Sequence, residues 1–512
     1  MALLLFLIVV AAAFALAAVR VVYAHGVFAR AVRGLESHAL PVAEADTSLD
    51  RFVAPLLRAH PGDTGIELID GNLEAFAFRV RMARRAGRSL DLQYYIWEDD
   101  LTGRLMLHEV LEAADRGVRV RLLLDDVYGQ ARDLVLLGLD THPNIEVRLF
   151  NPIRARRRGL RRGFELLARA TRANRRMHNK AWIADGRVAV VGGRNIGDKY
   201  FGANKASNFR DLDAIVVGAV LAEATARFDS YWNSPAVIPI AALRRRKGKL
   251  RKVRRSLARF RQRAPARPYL GRLGEDESVQ ALLAGSGPRH WVREAKFVSD
   301  PPEKCDGQRE DQWLRALVGP LLLSATQRLQ ILSPYFIPGP GGANALREMV
   351  QRGVAVAVLT NSLAATDVAA VHGAYARYRR RLVQGGVQLY ELKPYRRRRR
   401  VSIFGSSAAS LHTKAFTVDG HTGFVGSMNF DPRSISLNTE MGIVFSSPAL
   451  VAEIDALFAA EIAPERSYRV SMDGRRLVWE DNISTRHMEP TAGTWRRTVA
   501  IAARLLPIEA QL

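Results

Sequence analysis

Cysteine is almost missing from this chain: Cys305 is the only one in 512 residues. That excludes an intrachain disulfide framework and any zinc site built on cysteines. Negative charge is also scarce. There are 51 acidic residues against 76 basic ones, a net charge of +25 with a pI near 10.7. Such a surface favours polyanions or anionic membranes, with plain solubility as the bland alternative. Positive charge is absent from one place, the stretch ahead of the apolar run Ala2 to Val19. As a helix these 18 residues would span roughly 27 Å, close to a bilayer core. A cleaved signal peptide would suit Ala15-Leu16-Ala17, but its positive leading region is missing. Arg20, Arg30 and Arg33 all follow the run. The expectation is therefore a retained transmembrane helix over 1–22, with the body on the cytoplasmic side by the positive-inside rule. The cleaved signal is the rival.

What is present is ordinary in amount and unusual in arrangement. Hydrophobic content of 48% and charged content of 25% are those of a globular protein. The length implies two domains or a duplicated fold. Duplication is written in the motifs. His178-Asn179-Lys180 is followed after four residues by Asp185, and His412-Thr413-Lys414 after four residues by Asp419. Six residues further on stand Gly192-Gly193-Arg194-Asn195 in the first copy and Gly426-Ser427-Met428-Asn429 in the second. Two triplets with the same downstream spacing imply one site assembled from two half-sites.

The repeat extends outward from the triplets. Ser89 to Trp97 reads as a strand, Leu105 to Arg116 as a helix, and Gly117 opens a second strand ending near Asp125-Asp126. The same order recurs as Arg328 to Ile337, Ala343 to Arg352, and a strand from Gly353 to Thr360-Asn361-Ser362. Strand, helix, strand at this length predicts a mostly parallel or mixed sheet with flanking helices in each half. The expected layout is an α/β domain over 50–242, a basic connector over 243–307, a second α/β domain over 308–465, and a tail over 466–512 that packs on the body. The charge of Leu243 to Arg267 reads first as a solvated face. The basic runs Arg154 to Arg176 and Arg396 to Arg400 lie just ahead of the triplets, which suits a role near an anionic substrate or leaflet.

A phosphodiester must be attacked while its oxygens are negative, and imidazoles with fixed cations can do this. One His attacks phosphorus and forms a phospho-histidine. The other gives a proton to the leaving alkoxide and takes one from the incoming hydroxyl. Lys180 and Lys414 are placed to hold the phosphoryl oxygens, and Asn195 and Asn429 to donate further hydrogen bonds. Alternation on a strand turns each His and its Lys to one side. Asp185 and Asp419 precede Gly186 and Gly420, where a hairpin turn with positive φ is expected, so turn formation is the first reading of both aspartates. Each His also needs an orienting carboxylate. Asp211 or Asp213 and Glu440 are the candidates, and Asp211 matches Glu440 in register.

On these residues the chain resembles the phospholipase D superfamily, defined by paired His-x-Lys-x4-Asp motifs, and within it the bacterial cardiolipin synthases. Residues 178–201, 359–394, 411–434 and 437–445 carry the likeness, together with the closing LPIEAQL. The resemblance implies two tandem phospholipase D-like domains with pseudo-two-fold symmetry. It implies His178 as nucleophile and His412 as acid and base, with no metal and no cofactor. It also implies phospholipid partners: phosphatidylglycerol as acceptor, with phosphatidylglycerol or phosphatidylethanolamine as donor, at the anionic surface of a bacterial inner membrane. An accessory protein stays open. One departure is Gly193, where the superfamily usually has Ser. The rivals are a phospholipase D using water, a nuclease, which the apolar amino-terminal run disfavours, and a non-catalytic lipid-binding protein.

Overall fold

A computed structural model of the chain describes residues 11, 13–16, 33–42, 46–127, 133–156, 165, 169, 172, 174–243, 248–263, 266–285, 287–394, 409–506 and 509–511. The duplicated motifs sit in duplicated sheets. The first has nine strands, in the order His290–Val292, Thr64–Ile69, Asp213–Gly218, Val188–Gly192, Ala181–Ala184, Ser89–Tyr94, Arg119–Asp125, Ile145–Phe150 and Val237–Pro239. The second has ten, in the order Ala295–Ser299, Met441–Ser446, Thr422–Gly426, Ala415–Val418, Arg328–Leu332, Ala355–Asn361, Gln388–Leu392, Ser467–Asp473, Arg476–Glu480 and Thr485–Arg486. From Thr64–Ile69 and from Ala295–Ser299 the two lists run in step to Val237–Pro239 and Ser467–Asp473. In each, three central strands are parallel and the rest antiparallel.

Burial on both faces explains the strand sequences. In Arg119–Asp125, Leu122 and Leu124 pack with the helices Asn72–Arg85 and Leu101–Asp115, while Leu123 faces the opposite way. Leu123 joins a cluster that also holds Ile183, Val191 and Val216 from the first sheet and Leu359, Ala415, Val425 and Ile443 from the second. The helices Leu221–Trp232 and Pro448–Ile462 contribute to the same cluster through Phe228, Trp232, Ile454 and Phe458. The two halves thus share one continuous core along their seam, and each keeps its own outer helical layer.

The described residues of 243–307 carry regular structure. They contain the helices Leu250–Arg261, Ala266–Glu275 and Glu277–Ala284 and contribute an edge strand to each sheet. Val253 and Leu257 bury the inner face of the first of these helices, and its arginines cover the outer one. Of the run Arg154 to Arg176, Arg156, Arg169, Arg172 and Arg176 are paired with Asp126, Glu165, Asp306 and Asp125. The five arginines Arg396 to Arg400 lie outside the described residues.

The expected transmembrane helix is corrected by the structure. Among the described residues no helix is long and apolar enough to cross a membrane. The longest, Ala369–Gln384, has 16 residues, short of the roughly 20 that a bilayer core requires. Of the run 1–22 only residues 11 and 13–16 are described, and they are helical.

Candidate active site

Each triplet stands at the mouth of a strand. Ala181–Ala184 begins just after Lys180 and Ala415–Val418 just after Lys414, so the His and Lys of each half lie on an extended lead-in. That lead-in pairs across the seam. Met177 bridges Thr439 in parallel, and Ala409–Leu411 pairs in parallel with Asn208–Arg210. The His178 N–H donates to the Thr439 carbonyl (2.9 Å) and the His412 N–H to the Arg210 carbonyl (2.7 Å). Thr439 and Arg210 each precede a buried carboxylate. The pairing therefore delivers each half's carboxylate to the other half's imidazole: Glu440 lies 2.9 Å from His178 Nδ1 and Asp211 lies 2.5 Å from His412 Nδ1.

Glu440, its pKa held down by His178 and Lys180 against the effect of burial, can only accept, so Nδ1 of His178 carries the proton and Nε2 keeps its lone pair; His412 Nδ1 faces both Asp211 and the Lys414 ammonium (3.0 Å). Neither Nε2 has a protein partner among the described residues, and both rings are about nine-tenths buried (8% and 7% exposed). Burial lowers the His178 pKa to about 4, with Lys180 and Lys414 adding to the shift against the pull of Glu440. Burial and the two lysines also push His412 well below the ordinary imidazole value. Both rings are thus neutral at pH 7 in the free site. Burial lowers Lys180 to about 7 and Lys414 to about 8, against the pull of Glu440 and Asp211. Two desolvated ammonium groups in one site favour a bound anion.

The remaining residues fall into two groups. Asn195 is buried among partners: its Oδ1 accepts the Ile96 N–H (3.1 Å) and its Nδ2 donates to the Tyr200 hydroxyl (2.8 Å). Asn429 occupies the matching place, with a buried Oδ1 that has no partner among the described residues. Asp185 and Asp419 are elsewhere, at the far ends of the strands, about 20 Å along the chain from their imidazoles at 3.3 Å per residue. Their positive φ values, 53° and 51°, with 65° and 74° at Gly186 and Gly420, make tight hairpin turns. Asp185 accepts the N–H groups of Gly87, Arg88 and Ser89, and Asp419 those of Thr326, Gln327 and Arg328. Each pins the start of the strand beside it. Burial would raise the Asp419 pKa, but the Arg328, Thr326 and Gln327 bonds outweigh it and hold the carboxyl at about 2. Asp213 is also out of the site, bonded to the buried Arg79 (2.8 Å).

The departure at Gly193 has a steric cause. In the second half the Ser427 hydroxyl donates to Glu440 (2.5 Å). In the first half a Cβ on Gly193 would stand 2.1 Å from Asp211 Oδ1. Aspartate is one methylene shorter than glutamate, so its carboxylate sits back over the strand where the serine side chain would be. Ser with Glu and Gly with Asp are two solutions to one packing problem.

The site includes residues that motif reading passed over. Tyr95 lies edge-on to His178 (5.0 Å between ring centres), and Tyr200 and Phe209 flank His412 (5.3 and 4.7 Å). Tyr95 stands in the aromatic end of SLDLQYYIW, and Phe209 two residues ahead of Asp211, but nothing local marks either as facing the site. One cluster among the described residues has metal-ligating geometry, His372 with Glu391 and Glu489. Arg379 bonds both of its carboxylates (2.8 and 2.5 Å) and supplies the cation that the cluster needs.

The family model described as cardiolipin synthase, PLD-like domain, matches residues 80–232 and 320–462. The chain belongs to this phospholipase D-like family. It is accordingly an enzyme of the phospholipase D phosphatidyltransferase type. It is 41% identical over 468 residues to cardiolipin synthase C of Escherichia coli, covering 89% of this chain and 98% of that protein. It is 28% identical to cardiolipin synthase A of Pseudomonas entomophila, over 80% and 71% of the two chains. A crystal structure of phosphatidylserine synthase from Haemophilus influenzae shares the fold, with a TM-score of 0.54 at 14% identity over 82% and 91% of the chains.

Proposed function

We propose that the enzyme makes cardiolipin by moving a phosphatidyl group onto the hydroxyl of phosphatidylglycerol. The donor is phosphatidylglycerol, releasing glycerol, or phosphatidylethanolamine, releasing ethanolamine. His178 Nε2 attacks phosphorus, the bond to the head-group oxygen breaks, and His412 delivers a proton to that oxygen. The acceptor hydroxyl then gives its proton to His412 and attacks phosphorus. The phosphorus–nitrogen bond breaks and His178 recovers its lone pair. Lys180 and Lys414 hold the phosphoryl oxygens, Asn429 and Asn195 border them, and Asp211 and Glu440 fix the rings. Bound phosphate raises the low pKa of His412, which lets that ring act as the acid. Asp185 and Asp419 hold the two half-sites in shape and touch no substrate. Residues 50–242 and 308–465 carry the two half-sites.

One observation carries this reading: two neutral imidazoles, each held through Nδ1 by the opposite half's carboxylate, beside two buried lysines. The resemblance to cardiolipin synthases supports the choice of acceptor. Purified enzyme given labelled phosphatidylglycerol should yield cardiolipin and free glycerol. Phosphatidic acid as the sole product would replace the synthase with a hydrolase. Cleavage of plasmid DNA lost in His178→Ala would replace it with a nuclease.

A further inference from the structure

The C-terminal helix Thr494–Leu505 is built with its apolar side outward. Its inner face is made of small residues. Ala500 and Ala503 are buried, and the Ala500 carbonyl approaches Gly373 so closely that a Cβ there would stand 2.3 Å away. The far end is clamped by Arg377, which donates to the carbonyls of Arg504 (2.7 Å) and Leu506 (2.6 Å). Trp495, Thr498, Ile501, Ala502 and Leu505 fall on the opposite face by helical spacing, and all are exposed. Trp495 is 76% exposed and Leu505 79%. Fourteen large apolar side chains are exposed among the described residues, and six of them lie between Ile483 and Leu506. Scattered exposed apolar residues need no explanation, but this concentration does.

The helix also holds a loop whose charge reaches the site. Arg496 donates to the carbonyls of Leu363 (2.9 Å) and Thr366. The next residue, Asp367, is exposed, and its charge acts on both His412 and Lys414. Val368, beside it in the chain, is exposed too. Arg504, also exposed, lies on the helix beside the stripe.

We infer that this helix is an interfacial membrane-docking element: its apolar stripe enters the head-group boundary of an anionic bilayer and sets the rim of the second half-site against the lipid surface. An apolar face with an aromatic anchor and flanking arginines is the composition such a helix requires. The charge of +25 complements an anionic leaflet. The choice of a bilayer as occupant rests on the phospholipid substrate proposed above.

The test is sedimentation with vesicles of phosphatidylglycerol and phosphatidylcholine. The full chain should sediment with them, and Trp495→Glu with Leu505→Glu should lower partitioning by at least about tenfold. Turnover of lipid dispersed in detergent micelles should stay within about twofold, because no catalytic group is altered. Trp495 is the most exposed of the seven tryptophans, five of the others being buried. Bromine on the lipid chains should therefore quench it in the unaltered protein, whatever the variants do to folding. Unchanged sedimentation of the double variant, or no quenching, would overturn the inference. A switch from dimer to monomer in the variant would also overturn it, by showing that a second copy covers the stripe. Sensitive sedimentation without turnover of any lipid would keep the docking helix and remove the proposed function.

Discussion

The two halves share a strand order and a triplet, yet they solve the same local problems differently. The first holds its carboxylate short and close, with Asp211 over Gly193. The second holds it long, with Glu440 tied back by Ser427. The first encloses Asn195 with Tyr200, while the second leaves an oxygen of Asn429 without a partner among the described residues. Outside the site, the first half carries an arginine-covered helix, Leu250–Arg261, and the second an apolar-faced one, Thr494–Leu505. Strand order and Nδ1 support are thus common to both halves, and the details beside each ring are free to diverge. The unequal duties proposed for the two imidazoles would use that freedom.

The sharpest way to break the comparison is to remove each ring. His178→Ala should abolish transfer, by on the order of 10⁴-fold or more, since no other group offers the nucleophile. His412→Ala should cost roughly 10² to 10⁴-fold and should leave phosphatidyl-enzyme on His178, visible by mass spectrometry of the rapidly quenched protein. A covalent adduct on His412 instead would reverse the assignment.

The second test exchanges the local solutions. Gly193→Ser alone drives a side chain into Asp211 and should reduce kcat by about 10²-fold, the cost of misplacing a catalytic ring by an ångström. Adding Asp211→Glu converts the first half to the second half's pairing and should recover most of that loss. If the double variant is no better than Gly193→Ser, the two pairings are not equivalent.

Protonation gives a smaller effect. Lys180 and Lys414, lowered to about 7 and about 8, lose their charge as pH rises through those values in the free enzyme. The profile of kcat/KM should therefore fall on the alkaline side above about pH 7. Lys180→Arg keeps its charge at all working pH, so it should move that limb upward even with a lower maximum. A limb that stays in place would assign it to another group.

The smallest effect on turnover is expected from the motif aspartates. Asp185→Asn and Asp419→Asn should each destabilise the fold by about 1–3 kcal/mol through lost charge-assisted bonds to backbone N–H groups. Activity per folded molecule should be little changed. The folded pKa of Asp419 lies below its ordinary value, so its stabilisation is complete above about pH 4 and fades as pH falls towards 2. Denaturant titrations at pH 7 and pH 3 measure this directly. Loss of turnover without loss of stability would return the aspartates to the chemistry.

Much of this was legible in the chain. Period and spacing located the parallel βαβ units, because a strand buried on both faces is rich in apolar residues, and the polar ones it holds are paired, as Asp91 is with Arg121. The Asp-Gly pairs announced their turns, since few other residues accept two successive positive φ values. The transmembrane expectation failed differently. It rested on the composition of the first 22 residues, and no described helix has the length and apolarity to cross a bilayer. The outward-facing apolar stripe of Thr494–Leu505 is invisible to periodicity, which shows that a helix has two faces but not which one packs.

The sequence alone determined the chemistry: two imidazoles, two lysines and two carboxylate candidates in matched register, a set suited to phosphodiester transfer. The tertiary structure decided the partnership. Glu440 serves His178 and Asp211 serves His412, because the strands that carry them pair across the seam, and pairing between segments more than 200 residues apart leaves no local trace. It also set Asp185 and Asp419 at the far ends of their strands, bonded to backbone N–H groups. A strand's two ends are seven residues apart in the motif but open onto opposite edges of the sheet, and only the folded chain shows which edge is the site.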